Sequence, residues 1–104
     1  MTSLEEAVPI LLGAQRVAIL CHQFPDGDTL GAGSALCRAL RKLGRRAQVR
    51  CSDAIGPKYA FLFEGLTEDL FEPDLVVSVD IADKSLLGEP LLSQYGGKVG
   101  LSID

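Results

Sequence analysis

The chain has 104 residues, of which 47% are apolar and 23% charged, and its net charge is −4. That balance fits one small folded domain around a single core and excludes a disordered segment. It also excludes a broadly basic nucleic-acid surface, and no window approaches the run of about 18 apolar residues that a membrane span requires.

The opening residues carry Glu5 and Glu6 and lack the basic leader of a signal peptide, so a cytoplasmic protein is expected. Cys21, Cys37 and Cys51 are odd in number and show no C-x-x-C spacing, which points to reduced thiols, buried or half-buried, rather than a disulfide framework or structural zinc. Thr2-x-x-Glu5 has the form of a capping box and opens a helix through about Ala14, with Pro9 inside it to kink or shorten it. Arg16 to Cys21 is a short apolar run with β-branched residues and reads as a strand. From Thr29 to Leu43, Leu30, Leu36, Leu40 and Leu43 recur at helical spacing, and Gly44 follows as a stop signal. Arg46 to Cys51 reads as a second strand, Lys58 to Phe63 as a short helix, and Leu75 to Val79 as a third, buried strand. Ser85 to Leu87 and Pro90 to Tyr95 suggest short helical pieces, Gly96-Gly97 a turn, and Lys98 to Ile103 a fourth strand.

Continuous apolar strands alternating with helices predict an α/β fold, an open parallel sheet covered by helices on both faces. Such sheets bind ligands at the carboxyl ends of their strands. The polar residues fall there: His22, Asp26 and Asp28 after the first strand, Asp53 after the second, Asp80 and Asp83 after the third, and Asp104 after the fourth. Converging carboxylates repel one another, and a bound cation removes the repulsion; one histidine with several aspartates suits Mn²⁺ or Mg²⁺. Taken singly, each residue has a plainer role. Asp28 suits the cap of the helix that follows, Asp26-Gly27 a turn, Asp80 or Asp83 the cap of a short helix, and a lone histidine is usually structural. His22-x-x-x-Asp26-x-Asp28 gathers the donors in one strand-to-helix loop, bent by Pro25 and Gly27.

The stretch His22-Gln23-Phe24-Pro25-Asp26-Gly27-Asp28-Thr29-Leu30-Gly31 resembles the first motif of the DHH phosphoesterases. It is most similar to the branch of bacterial oligoribonucleases that also act as 3′-phosphoadenosine-5′-phosphate phosphatases. Val76 to Asp83 looks like the second motif, an apolar strand ending in aspartate, and Leu101 to Asp104 like the lead-in to the third, with Asp104 as its first letter. The chain departs from the pattern at Ala32 and Gly33, where relatives usually place serine straight after the glycine, and at Lys84 to Leu87, which lack an arginine.

The resemblance implies that residues 1–104 form the N-terminal part of a DHH domain. The rest of that domain and a second, glycine-rich substrate domain are expected beyond Asp104, and the fragment alone is expected to be inactive. It implies two Mn²⁺ or Mg²⁺ ions, with His22 and Asp26 on one, Asp28 on the other and Asp80 bridging both. Asp80 and Asp28 would carry catalysis, Asp104 would orient its neighbours, and Asp83 would stand behind the ligands. Substrates would be short oligoribonucleotides or small nucleotide phosphates of the bisphosphate or cyclic dinucleotide type, and the whole protein could form a homodimer.

Three other readings compete. A DHH-type inorganic pyrophosphatase shares a similar first motif. A non-catalytic nucleotide-binding module is suggested by Gly31-x-Gly33 near a strand-to-helix junction and by Asp53 about twenty residues on, but Leu36 replaces the third glycine and Asp26 and Asp28 oppose a pyrophosphate. In an inactive interaction fragment, Arg38, Arg41, Lys42, Arg45 and Arg46 would form a partner surface; a solvated run complementing a helix C-terminus is the simpler expectation.

Overall fold

The computed structural model describes residues 4–21, 27–52, 55–79, 87–89, 91–95 and 97–103. Helix α1 spans Leu4–Gly13, strand β1 Arg16–Leu20, helix α2 Gly27–Lys42 and strand β2 Arg46–Arg50. A 3₁₀ segment, Pro57–Phe63, precedes strand β3 at Leu75–Val79, helix α3 at Leu91–Tyr95 and strand β4 at Leu101–Ile103. The four strands form one sheet in the order β2-β1-β3-β4, and every pairing is parallel.

Alternation along the strands divides the core into two layers, because successive side chains leave opposite faces of a sheet. Val17, Ile19 and Cys21 join Ala47, Val49, Val77, Val79 and Leu101 under α1 and α2, which contribute Ala7, Leu30, Cys37 and Leu40. Ala18, Leu20 and Val76 face the other way and pack with Leu87 and Leu91. Helices therefore flank both faces, as the runs of apolar strand residues predict.

Helix α2 ends as its sequence predicts. Gly44 takes φ of 83°, its N–H donates to the Arg41 carbonyl at 3.0 Å, and the Arg45 N–H donates to the Leu40 carbonyl at 2.9 Å. This paired closure is the Schellman motif, and its left-handed residue favours glycine. The other end differs from expectation. The helix begins at Gly27, so Asp28 lies inside the first turn rather than ahead of the helix. Gly31 and Gly33 then sit a turn or more inside α2 and form no strand-to-helix loop, which removes the glycine cradle of the dinucleotide reading. Gly33 has a packing role instead: a methyl built there would lie 3.0 Å from Cys21 Sγ and 3.7 Å from Ile19 and Val49, so its absence lets α2 settle onto β1 and β2.

Two further elements differ from the sequence reading, and a third is refined. Helix α1 runs through Pro9 without interruption. The short helix expected at Lys58 to Phe63 is present as a 3₁₀ helix over Pro57–Phe63. Strand β4 starts at Leu101, because the Lys98 N–H turns back to the Tyr95 carbonyl and pairing toward β3 begins only at Gly100, whose N–H reaches the Val76 carbonyl.

The basic run is exposed at Arg38, Lys42 and Arg46, as expected, but its arginines also grip neighbouring segments. Arg38 donates to the carbonyls of Leu62 and Glu64, both at 2.8 Å. Arg41 reaches the Ala47 and Thr67 carbonyls, and Arg45 those of Leu12 and Leu43. Arg46 grips Asp69 through two guanidinium nitrogens, at 2.7 and 3.1 Å, and its guanidinium carbon lies 5.0 Å from the Phe71 ring centroid. At Glu64, Thr67 and Leu70 these side chains take up backbone carbonyls of the irregular 64–71 stretch. Cys21 and Cys37 are buried and Cys51 is half-buried, and no disulfide joins them. Burial pushes the Cys37 thiol pKa up, against the opposing pull of the Arg41 and Arg38 charges.

Candidate functional site

In the order β2-β1-β3-β4 the chain leaves β1 through α2 to a strand on one side and later returns to a strand on the other side. Such a reversal opens a crevice at the carboxyl ends of the two central strands, where open α/β sheets take their ligands. Here those strands are β1, ending at Leu20, and β3, ending at Val79.

Three contacts build this rim. The buried hydroxyl of Thr29, in the first turn of α2, donates to the Val79 carbonyl at 3.1 Å. That bond ties the start of α2 to the last residue of β3 across 50 positions of sequence. The Cys21 N–H donates to the Arg50 carbonyl at 3.0 Å, and the Cys21 thiol faces the Thr29 carbonyl at 3.7 Å, so the exit from β1 is held against both β2 and α2. Tyr59 of the 3₁₀ segment closes the third side: a methyl built on Gly27 would lie 3.4 Å from its ring and 4.0 Å from its hydroxyl. Lys58 places its ammonium 5.5 Å from the same ring's centroid. Ser52, two residues past β2, accepts from the Leu91 N–H and donates to the Leu87 carbonyl, fixing α3 on the far face.

Of the predicted metal ligands, Asp28 is described. It is exposed on the first turn of α2, where the helix dipole favours a negative charge. His22, Asp26, Asp53, Asp80, Asp83 and Asp104 lie outside the described residues. Among the described residues no group of three or more His, Cys, Asp or Glu side chains could hold a metal ion. In sequence, residues 22–26 run from Cys21 to Gly27, and Asp80 follows Val79. The acidic loop and the bridging candidate thus join the framework at positions that the rim contacts draw together.

Sequence reading missed Thr29 and Tyr59 as rim residues. Thr29 carries a faint signal, a hydroxyl at a helix position that the apolar spacing assigns to the core. Tyr59 carries none, since its place depends on Arg38 holding carbonyls 24 and 26 residues away.

Among the described residues no helix is long and apolar enough to cross a membrane. No family model matches the chain. Over an alignment of 112 positions it is 33% identical to NrnA of Mycoplasma pneumoniae, a bifunctional oligoribonuclease and PAP phosphatase. The alignment takes in 98% of this chain and 34% of that protein. The chain is therefore a distant relative of NrnA and spans about a third of its length.

Proposed function

We propose that this chain supplies much of a two-metal phosphoesterase centre, acting in the whole protein that carries it on short oligoribonucleotides or small nucleotide phosphates. The observation that carries the reading is the rim. The Thr29 bond to Val79 joins the first turn of α2 to the end of β3 at the crevice between the central strands, where the acidic loop and Asp80 attach. The similarity to NrnA supports the same chemistry.

In this reading His22 and Asp26 hold one ion, Asp28 holds the other and Asp80 bridges them. One imidazole with three carboxylates suits hard divalent cations such as Mn²⁺ or Mg²⁺. Such ions would neutralise phosphate charge and make water acidic enough to attack phosphorus. The chain's part is to fix the donors. Asp28 rides on a helix of 16 residues packed on the core, and Asp80 follows a strand whose last four residues are buried. The Thr29 clasp couples the two elements to which these carboxylates belong or attach in sequence. Asp83 and Asp104 would stand behind the ligands.

Calorimetric titration of the chain with Mn²⁺ tests the assignment. Asp26→Ala should abolish the binding that the wild-type chain shows. Equal binding by wild type and variant would rule these ligands out.

A further inference from the structure

The 3₁₀ segment beside the rim presents two chemically distinct faces. Residues three apart eclipse one another in a 3₁₀ helix. Tyr59 and Leu62 share one face, both half-buried and packed against the main core. Lys58 and Phe61 share another, and both are exposed. Phe61 leaves 66% of its surface in solvent, while Tyr59 and Leu62 anchor the segment. The segment is also held firmly. Tyr59 lies against Gly27 at the mouth of the rim, and Arg38 clamps the carbonyls of Leu62 and Glu64. A fixed backbone thus displays an exposed phenylalanine and an exposed lysine, the latter with its ammonium 5.5 Å from the centroid of the Tyr59 ring, next to the place where phosphate chemistry is proposed.

We propose that Lys58 and Phe61 form a nucleotide-binding platform at the edge of this rim, with the Phe61 ring stacking on a base of the substrate and Lys58 pairing with a phosphate. This rests on the phosphoesterase reading and specifies how its substrate is held. Aromatic faces take any base, and a neighbouring cation tracks the backbone, so the platform grips single-stranded ribonucleotides without selecting sequence. Phe61 and Lys58 act in binding, whereas Tyr59 is a positioning residue that holds the platform at the mouth.

The test compares a penta-adenylate with an otherwise identical oligomer carrying abasic residues at both ends. Turnover by the protein carrying this chain is measured with Mn²⁺, and binding of the labelled oligomers to the chain is measured by fluorescence anisotropy. The wild type should favour the base-bearing oligomer by about tenfold in KM, the scale of one base stacked on an aromatic ring. In Phe61→Ala that preference should vanish, and Phe61→Trp should restore it. Lys58→Gln should weaken both oligomers and lower the salt slope of binding by about one phosphate contact. An unchanged preference in Phe61→Ala overturns the proposal, as does an effect of Phe61→Ala confined to thermal stability or oligomeric state, which would mark the ring as a packing surface. If the wild type turns over neither oligomer, the phosphoesterase reading fails, and the anisotropy comparison still decides the platform.

Discussion

Thr29 donates its buried hydroxyl to the Val79 carbonyl at the point where the two elements of the proposed metal centre meet. Thr29→Val keeps the shape and removes the donor, leaving a buried carbonyl short of a partner, so it should cost about 1–3 kcal/mol in urea unfolding and should also loosen Mn²⁺ binding. A stability loss with Mn²⁺ affinity unchanged would show that the clasp serves folding alone. Two exposed carboxylates on the opposite side of the molecule contribute to stability in acid. Partial burial pushes the Asp74 pKa up, but the N–H groups of Arg16 and Gln15 and the Arg16 charge outweigh that and hold it below its ordinary 3.8. The hydrogen bond from Arg46 holds Asp69 down likewise. A folded-state pKa below the unfolded one gives stability that is complete above the unfolded value and is lost as pH falls through the folded one. Stability should therefore decline below about pH 4, and Asp74→Asn should make that decline shallower in acid titrations followed by circular dichroism.

At the scale of elements, α2 carries two glycines whose replacement should have opposite effects. A methyl at Gly31 meets nothing within 4 Å, so Gly31→Ala should gain up to about 1 kcal/mol from helix propensity. A methyl at Gly33 meets the buried Cys21 sulfur at 3.0 Å, and overpacking of about 1–3 kcal/mol should outweigh the same gain. Thermal midpoints of the two variants, one raised and one lowered, check this. Helix α2 and strand β3 were legible because their apolar spacing is local and strong. The 64–74 region was not, because arginines reaching across more than twenty residues hold it, and a run of cations in sequence looks the same whether it is only solvated or also clamped. Arg38→Ala should release the Leu62 and Glu64 carbonyls and speed proteolysis near the 3₁₀ segment, while the free energy of unfolding falls by about 1 kcal/mol or less, since the bonds are exposed.

For the whole molecule, strand order has a functional consequence. Placing β1 and β3 at the centre puts the sequence positions after them at one crevice; the strand pattern in the sequence foretold a parallel sheet with β1 inside it, but not the central place of β3. The acidic residues were legible by type and spacing. Of those proposed as ligands, Asp28 is the one whose surroundings the structure describes, and it shows an exposed carboxylate on the first turn of a buried helix rather than a cap ahead of it. The framework beneath the site was harder to read, since a threonine hydroxyl and a tyrosine ring gain their roles only when distant segments close on them. The central claim, that Asp80 bridges two metals in phosphate ester hydrolysis, is tested most directly by turnover of a short oligoribonucleotide with Mn²⁺, comparing Asp80→Asn with Asp53→Asn in the whole protein. Asp80→Asn should lower kcat by about a hundredfold or more, the scale of losing an electrostatic stabiliser at the reacting group, while Asp53→Asn stays near wild type. Near-normal activity in Asp80→Asn together with its loss in Asp53→Asn would contradict the two-metal account.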